Sequence, residues 1–123
     1  MKFIIVLKPS GHFEVLNYED NYKIPLEEWQ GLFGGANIEC VPSVFPGTEI
    51  LVDEEGKLKC LEENPIATLL MHPSMFDVLV GDAVICGVNG DNLDGMSKEN
   101  MELVAGRIYA AKCLTKEGAE NGL

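Results

Sequence analysis

The stretch LVDEEGKLKCLEENP, Leu51 to Pro65, places five carboxylates and two lysines in fifteen residues. Three kinds of chemistry would use such a cluster. Oxygen ligands could hold a cation, two carboxylates in unlike environments could exchange a proton, or an acidic face could dock a partner. A plain turn between two strands is the fourth reading. Other carboxylate pairs stand at Glu19-Asp20 and Glu27-Glu28. Acid–base work needs a cleft, whereas these pairs fall in expected turns or on an outer helix face, where acids are ordinarily solvated.

The metal motifs do not fit. NGDNLDG resembles a calcium loop, but counting from Asn89 puts Leu93 at the fifth position, Asp94 where glycine belongs and Asn100 where the bidentate glutamate belongs. Zinc needs clustered cysteine and histidine. His12 and His72 are far apart, and Cys40, Cys60, Cys86 and Cys113 form no C-x-x-C. Cys40 and Cys86 read as small buried hydrophobes. A reactive thiol needs an electropositive setting that this acidic chain hardly offers. GLFGGAN lacks the lysine and hydroxyl of a phosphate loop, and its glycines follow a helix, so they read as a helix stop. There is no G-x-S-x-G and no H-E-x-x-H. The reading is of a protein without an enzyme's constellation, and with no catalytic residue, metal or cofactor assigned.

The elements that would position these residues follow from periodicity. KFIIVLK and HFEVLNY, joined at Pro9-Ser10-Gly11, read as a β-hairpin. IPLEEWQGLFGG reads as a helix opened by Pro25 and stopped by Gly34-Gly35, with Leu26, Trp29, Leu32 and Phe33 facing a sheet. ANIECVPSV is a strand. TEILVDEEGKLKCL reads as a hairpin with its loop at Glu54-Glu55-Gly56, Gly56 taking a positive φ and the lysines standing opposite Asp53 and Glu49. Asn64 caps and Pro65 opens a short helix that ends before Pro73. DAVICGV is a buried strand and GDNLDG a loop. SKENMELVAGRIYAAKCL is a helix capped by Ser97, with Met101, Val104, Ile108 and Ala111 as its apolar stripe. The expected fold class is α+β: a small, mostly antiparallel sheet of about five to six strands with two to three short helices. Residues 1–123 make one domain, and 114–123 read as a frayed tail.

The formal charge is −11, from nine basic and twenty acidic residues. Arg107 is the single arginine, so phosphate neutralisation has no basic cluster to use, and direct nucleic-acid or anionic-membrane binding is not expected. No signal-peptide pattern and no uninterrupted apolar span occur, which gives the expectation of a cytoplasmic protein with reduced thiols.

LFGGANIECVPSV, LVDEEGKLKCLEENPIAT and DVLVGDAVICG carry a resemblance. The shared residues are Gly34-Gly35, then Ile38, Glu39 and Val41, then Glu54 to Leu58, Asn64-Pro65, and Gly81 with Ile85. In this order they resemble an uncharacterised family, domain-of-unknown-function family 3846, carried by phages, plasmids and other bacterial mobile elements. The resemblance covers the chain to about Val88. It implies an accessory protein, for example one acting on host defence or plasmid upkeep, and supplies no reaction. It also singles out Asn64, a shared polar residue where a ligand contact could sit.

The sequence therefore points to a non-enzymatic protein-binding module. Its partner would be a protein with a basic surface, and one version of it is a DNA mimic. The alternative is a protein that binds or sequesters a small ligand such as a nucleotide. Glu54, Glu55 and Asn64 are the candidate contact residues. Edge strands leave a homodimer open.

Overall fold

The computed structural model describes residues 1–120. The strands are β1 (Lys2–Leu7), β2 (Phe13–Tyr18), β3 (Ile38–Pro42), β4 (Thr48–Asp53), β5 (Ala83–Asn89) and β6 (Asn92–Asp94). The helices are α1 (Leu26–Gly31), α2 (Pro65–Leu70) and α3 (Lys98–Glu120). All strands pair antiparallel in one sheet ordered β2-β1-β5-β4-β3, and β6 adds to β5. This is the expected α+β class.

Both faces of the sheet are covered. Ile5, Leu7, Ile50, Val52, Ala83 and Ile85 point to the side carrying α2 and α3, where Ile66, Leu70, Val104 and Ile108 meet them. Ile4, Val6, Leu51, Val84 and Cys86 point to the other side, under Trp29 of α1. Double coverage explains why β1, β4 and β5 read as continuous apolar runs instead of alternating ones. The hairpin turn before β2 holds Gly11 at φ +92°, and Gly34 and Gly35 take positive φ after α1, as their positions require.

Four local expectations need correction. The segment after β4 is not a hairpin. Both edges of β4 are already occupied, by β3 and β5, so no returning strand has a place beside it. Residues 54–60 wind through successive turns instead, with Lys59 N–H donating to the Glu55 carbonyl and Leu61 N–H to that of Gly56. The left-handed residue there is Cys60, at φ +56°, and not Gly56. Lys59 does reach Asp53, at 2.7 Å, but Lys57 pairs with Asp77. The expected loop GDNLDG is a tight hairpin, in which Gly90 at φ +65° joins β5 to β6. Cys40 is exposed, on β3 at the edge of the sheet. Leu26, at the start of α1, is also exposed.

α3 keeps its Ser97 cap, whose Oγ accepts from Asn100 N–H at 3.1 Å. It runs on to Glu120, into the segment read from sequence as a frayed tail. Residues 121–123 of that segment lie outside the described residues. Among the described residues, no helix is long and apolar enough to cross a membrane.

Candidate docking surface

Asn64 is a structural residue. It is fully buried, and its Oδ1 accepts from Ala67 N–H at 3.2 Å, which caps α2. Its Nδ2 donates to the Leu7 carbonyl at 3.1 Å and to the Gly81 carbonyl at 2.9 Å. Every polar atom of the side chain has a partner within the chain, and none of it reaches the surface. This corrects the expectation of a ligand contact there, because a capping residue that also ties α2 to the ends of β1 and β5 must sit inside.

Glu54 and Glu55 are both exposed, on the turn that follows β4. Backbone bonds shape this turn: Glu54 N–H donates to the Asn37 carbonyl and Glu55 N–H to the Asp53 carboxylate. Glu54 lines a small hollow with Leu58, Asp77 and Val78. The acidic tip therefore borders a surface that sequence reasoning missed.

That surface is apolar. The segment between α2 and β5 leaves the helix at Met71 and is fixed by local hydrogen bonds. His72 Nδ1 accepts from Ser74 N–H at 3.1 Å, Met75 N–H donates to the His72 carbonyl, and Asp77 Oδ1 accepts from Val78 N–H. Thr68 Oγ1 accepts from Leu79 N–H at 3.0 Å and ties the far end back to α2. The apolar side chains of this loop stand outward. Phe76 is 97% exposed, Leu58 85% and Leu69 64%, with Met75 and Val78 partly exposed beside them. Most of them line an open groove of about 820 Å³ floored by Val44 and Met71 and bounded by Lys57, Asp77 and Arg107. Val78 joins this groove to the hollow holding Leu58 and Glu54.

The one sequence signal for this face was the dipeptide Met75-Phe76, two large apolar residues between Pro73 and Asp77 that fit neither a strand nor a helix period.

Charge at the rim is mostly paired. The Lys57 ammonium beside Asp77, with help from the Val78 N–H, holds that carboxyl below the usual range. Lys59 does the same for Asp53. Of the thiols, Cys86 is buried in the sheet, and burial, with Cys40, Glu49 and Asp94 nearby, pushes its pKa far up. Cys40 is pushed up by partial burial and by Glu49 and Glu39. Neither stands as a ready nucleophile. Among the described residues, no three His, Cys, Asp or Glu side chains converge as a metal site.

A second cavity, about 510 Å³, lies between α1 and the β5–β6 hairpin. Trp29, Lys2, Lys23, Asp91, Asn92 and Asp94 line it. Lys2 Nζ meets Asp94 Oδ1 at 2.6 Å, and both side chains are largely buried.

No curated protein and no solved structure matches the chain. One family model, described as Domain of unknown function (DUF3846), matches residues 1–109. That span includes the whole sheet, the groove and the acidic turn, and so the chain belongs to this family.

Proposed function

We propose that this protein is a non-enzymatic accessory module of a mobile-element type that works by binding another protein through the face built from Leu58, Leu69, Met75, Phe76 and Val78. The observation that carries this reading is Phe76, a phenylalanine 97% exposed on a groove that it lines with Leu69, Met75 and Val78. Fully burying a side chain of this kind is worth about 1.5–3 kcal/mol, and clustered exposed apolar residues rimmed by charge are typical of docking sites. Aromatic anchors surrounded by polar residues dominate binding energy at such sites. Glu54 and Glu55 beside the patch, with the chain's net charge of −11, favour approach of a basic protein and set the salt dependence of the encounter.

The test is co-purification of the tagged protein from its natural host. Phe76→Ser with Leu58→Ser should abolish a stoichiometric partner seen with wild type. Glu54→Gln with Glu55→Gln should keep the partner but weaken its capture at low salt. A partner retained by the double serine variant would refute the docking face.

The cavity under Trp29 supports a second reading, a small-ligand binder. Two lysines there face two aspartates, which leaves no net positive charge for a phosphate. A thermal-shift screen with nucleotides tests this reading directly.

A further inference from the structure

Arg107 is the cation of the groove that no carboxylate of the chain neutralises. Lys2, Lys8, Lys57, Lys59 and Lys98 each have a carboxylate within 4 Å, whereas Lys23, Lys112 and Arg107 have none among the described residues, and of these three only Arg107 lines the groove. Arg107, the single arginine, has no ion pair among the described residues and stands exposed on the wall of the apolar groove.

α3 brings Arg107, alone of its residues, to the lining of the groove. Leu103, Arg107, Ala110 and Leu114 recur at i, i+4, i+7 and i+11 along α3, so they share one exposed stripe that continues from the groove at Arg107. Leu103 and Leu114 are more than half exposed. The stripe spans about 16 Å at 1.5 Å per residue, enough for three turns of a second helix. Leu69 of α2 and the Met75-Phe76 tip line the same groove.

No strand can add at this end of the sheet. The β3 edge is closed there by a bridge from Ser43 to Met71, with Val44 N–H donating to the Leu70 carbonyl and His72 N–H to that of Pro42. With the backbone groups occupied, recognition falls to side chains, which is the helix-in-groove mode.

We propose that the groove between α3 and the Met75-Phe76 tip takes an amphipathic helix of the partner, and that Arg107 pairs with a carboxylate on the flank of that helix. This inference rests on the docking reading above and names the chemistry of the docked segment. The basic surface of the partner then lies outside this segment, and at the groove its complement is one acid beside apolar anchors. A guanidinium meets a carboxylate in two parallel hydrogen bonds, so the contact also fixes register. A second copy of this chain is the poorer occupant, because two chains of charge −11 repel.

The probes are two synthetic amphipathic helices of about eighteen residues, long enough for the groove. Both carry leucines at i, i+3, i+4 and i+7, and they differ only by Glu or Lys on the flank. Fluorescence anisotropy reads their binding to the full chain. Wild type should prefer the Glu peptide by about tenfold, the worth of one charge-assisted hydrogen-bonded pair. Arg107→Glu should reverse the preference, and Phe76→Ser should weaken both peptides. Both residues are exposed, so neither change threatens the fold. Equal binding of the two peptides, weakened by Phe76→Ser, would overturn the Arg107 proposal and leave the docking reading standing. If neither peptide binds, and light scattering finds a dimer that Phe76→Ser dissolves, the occupant is a second copy and the proposal falls. If neither binds a monomer, the proposal falls too, and the docking reading then depends on the co-purification comparison.

Discussion

Asn64 Nδ2 donates to the Gly81 carbonyl at 2.9 Å, so one buried amide ties the start of α2 to the residue that leads into β5. The same nitrogen reaches Leu7 at the end of β1, and Oδ1 caps the helix. Asn64→Ala should therefore destabilise the fold by about 2–4 kcal/mol, combining a lost cap with two buried carbonyls left unpaired. Asn64→Asp keeps the cap but turns acceptors toward both carbonyls, and should cost a similar amount. Urea denaturation measures both. Loss below about 0.5 kcal/mol for the alanine variant would remove Asn64 from this role.

The Asn-Pro pair made the cap legible in the sequence, because capping is a local event. The bonds to Leu7 and Gly81 were not legible, since they join residues 57 and 17 positions away. The same limit explains the false hairpin. EILV, a Gly-bearing turn and KLKCL satisfy every local rule, but strand pairing also needs a free edge, and β3 and β5 hold both edges of β4. Composition located the acidic turn, yet it could not show that Glu54 shares a hollow with Leu58 and Val78. That juxtaposition arises only when the α2–β5 segment returns beside the turn.

Gly87 and Gly95 bring two backbone segments close together. A Cβ on Gly87 would lie 2.7 Å from the Gly95 carbonyl oxygen. Backbone cannot rotate away as a side chain would, so Gly87→Ala must push the Gly95-Met96 segment off β5 and strain the two Phe3–Met96 hydrogen bonds. A loss of about 2–3 kcal/mol is expected, as for other overpacked sites. Hydrogen exchange should localise it to the amides of Phe3 and Met96. By contrast, Gly106→Ala, where a Cβ meets nothing within 4 Å, should stabilise α3 by about 0.5–1 kcal/mol.

The Lys2–Asp94 pair predicts a pH dependence. Burial alone would raise the Asp94 carboxyl, but hydrogen bonds from Lys2, Gly95 N–H and Asn89, with the Lys2 charge, outweigh it and hold the pKa below the usual value. A carboxyl lowered in the folded state stabilises above its unfolded pKa of about 4, and that contribution is lost as pH falls through the folded value. Asp94→Asn should therefore cost about 2 kcal/mol near neutrality, largely by leaving Lys2 buried without its partner. The gap between wild type and variant should close as pH drops from about 5 to 2. Comparing the two chains cancels the similar acid sensitivity of Asp53 and Asp77. A gap constant with pH would mean that the carboxylate charge contributes nothing.

The most direct test of the docking face is site-specific photo-crosslinking in the natural host. A photoreactive phenylalanine analogue replaces Phe76 in one variant and Tyr18, on the opposite side of the sheet, in another. The account predicts a discrete protein adduct from position 76 that Leu69→Ser diminishes, and none from position 18. Equal adduct yields at the two positions, or none at position 76, would contradict the claim that this face is where the protein works.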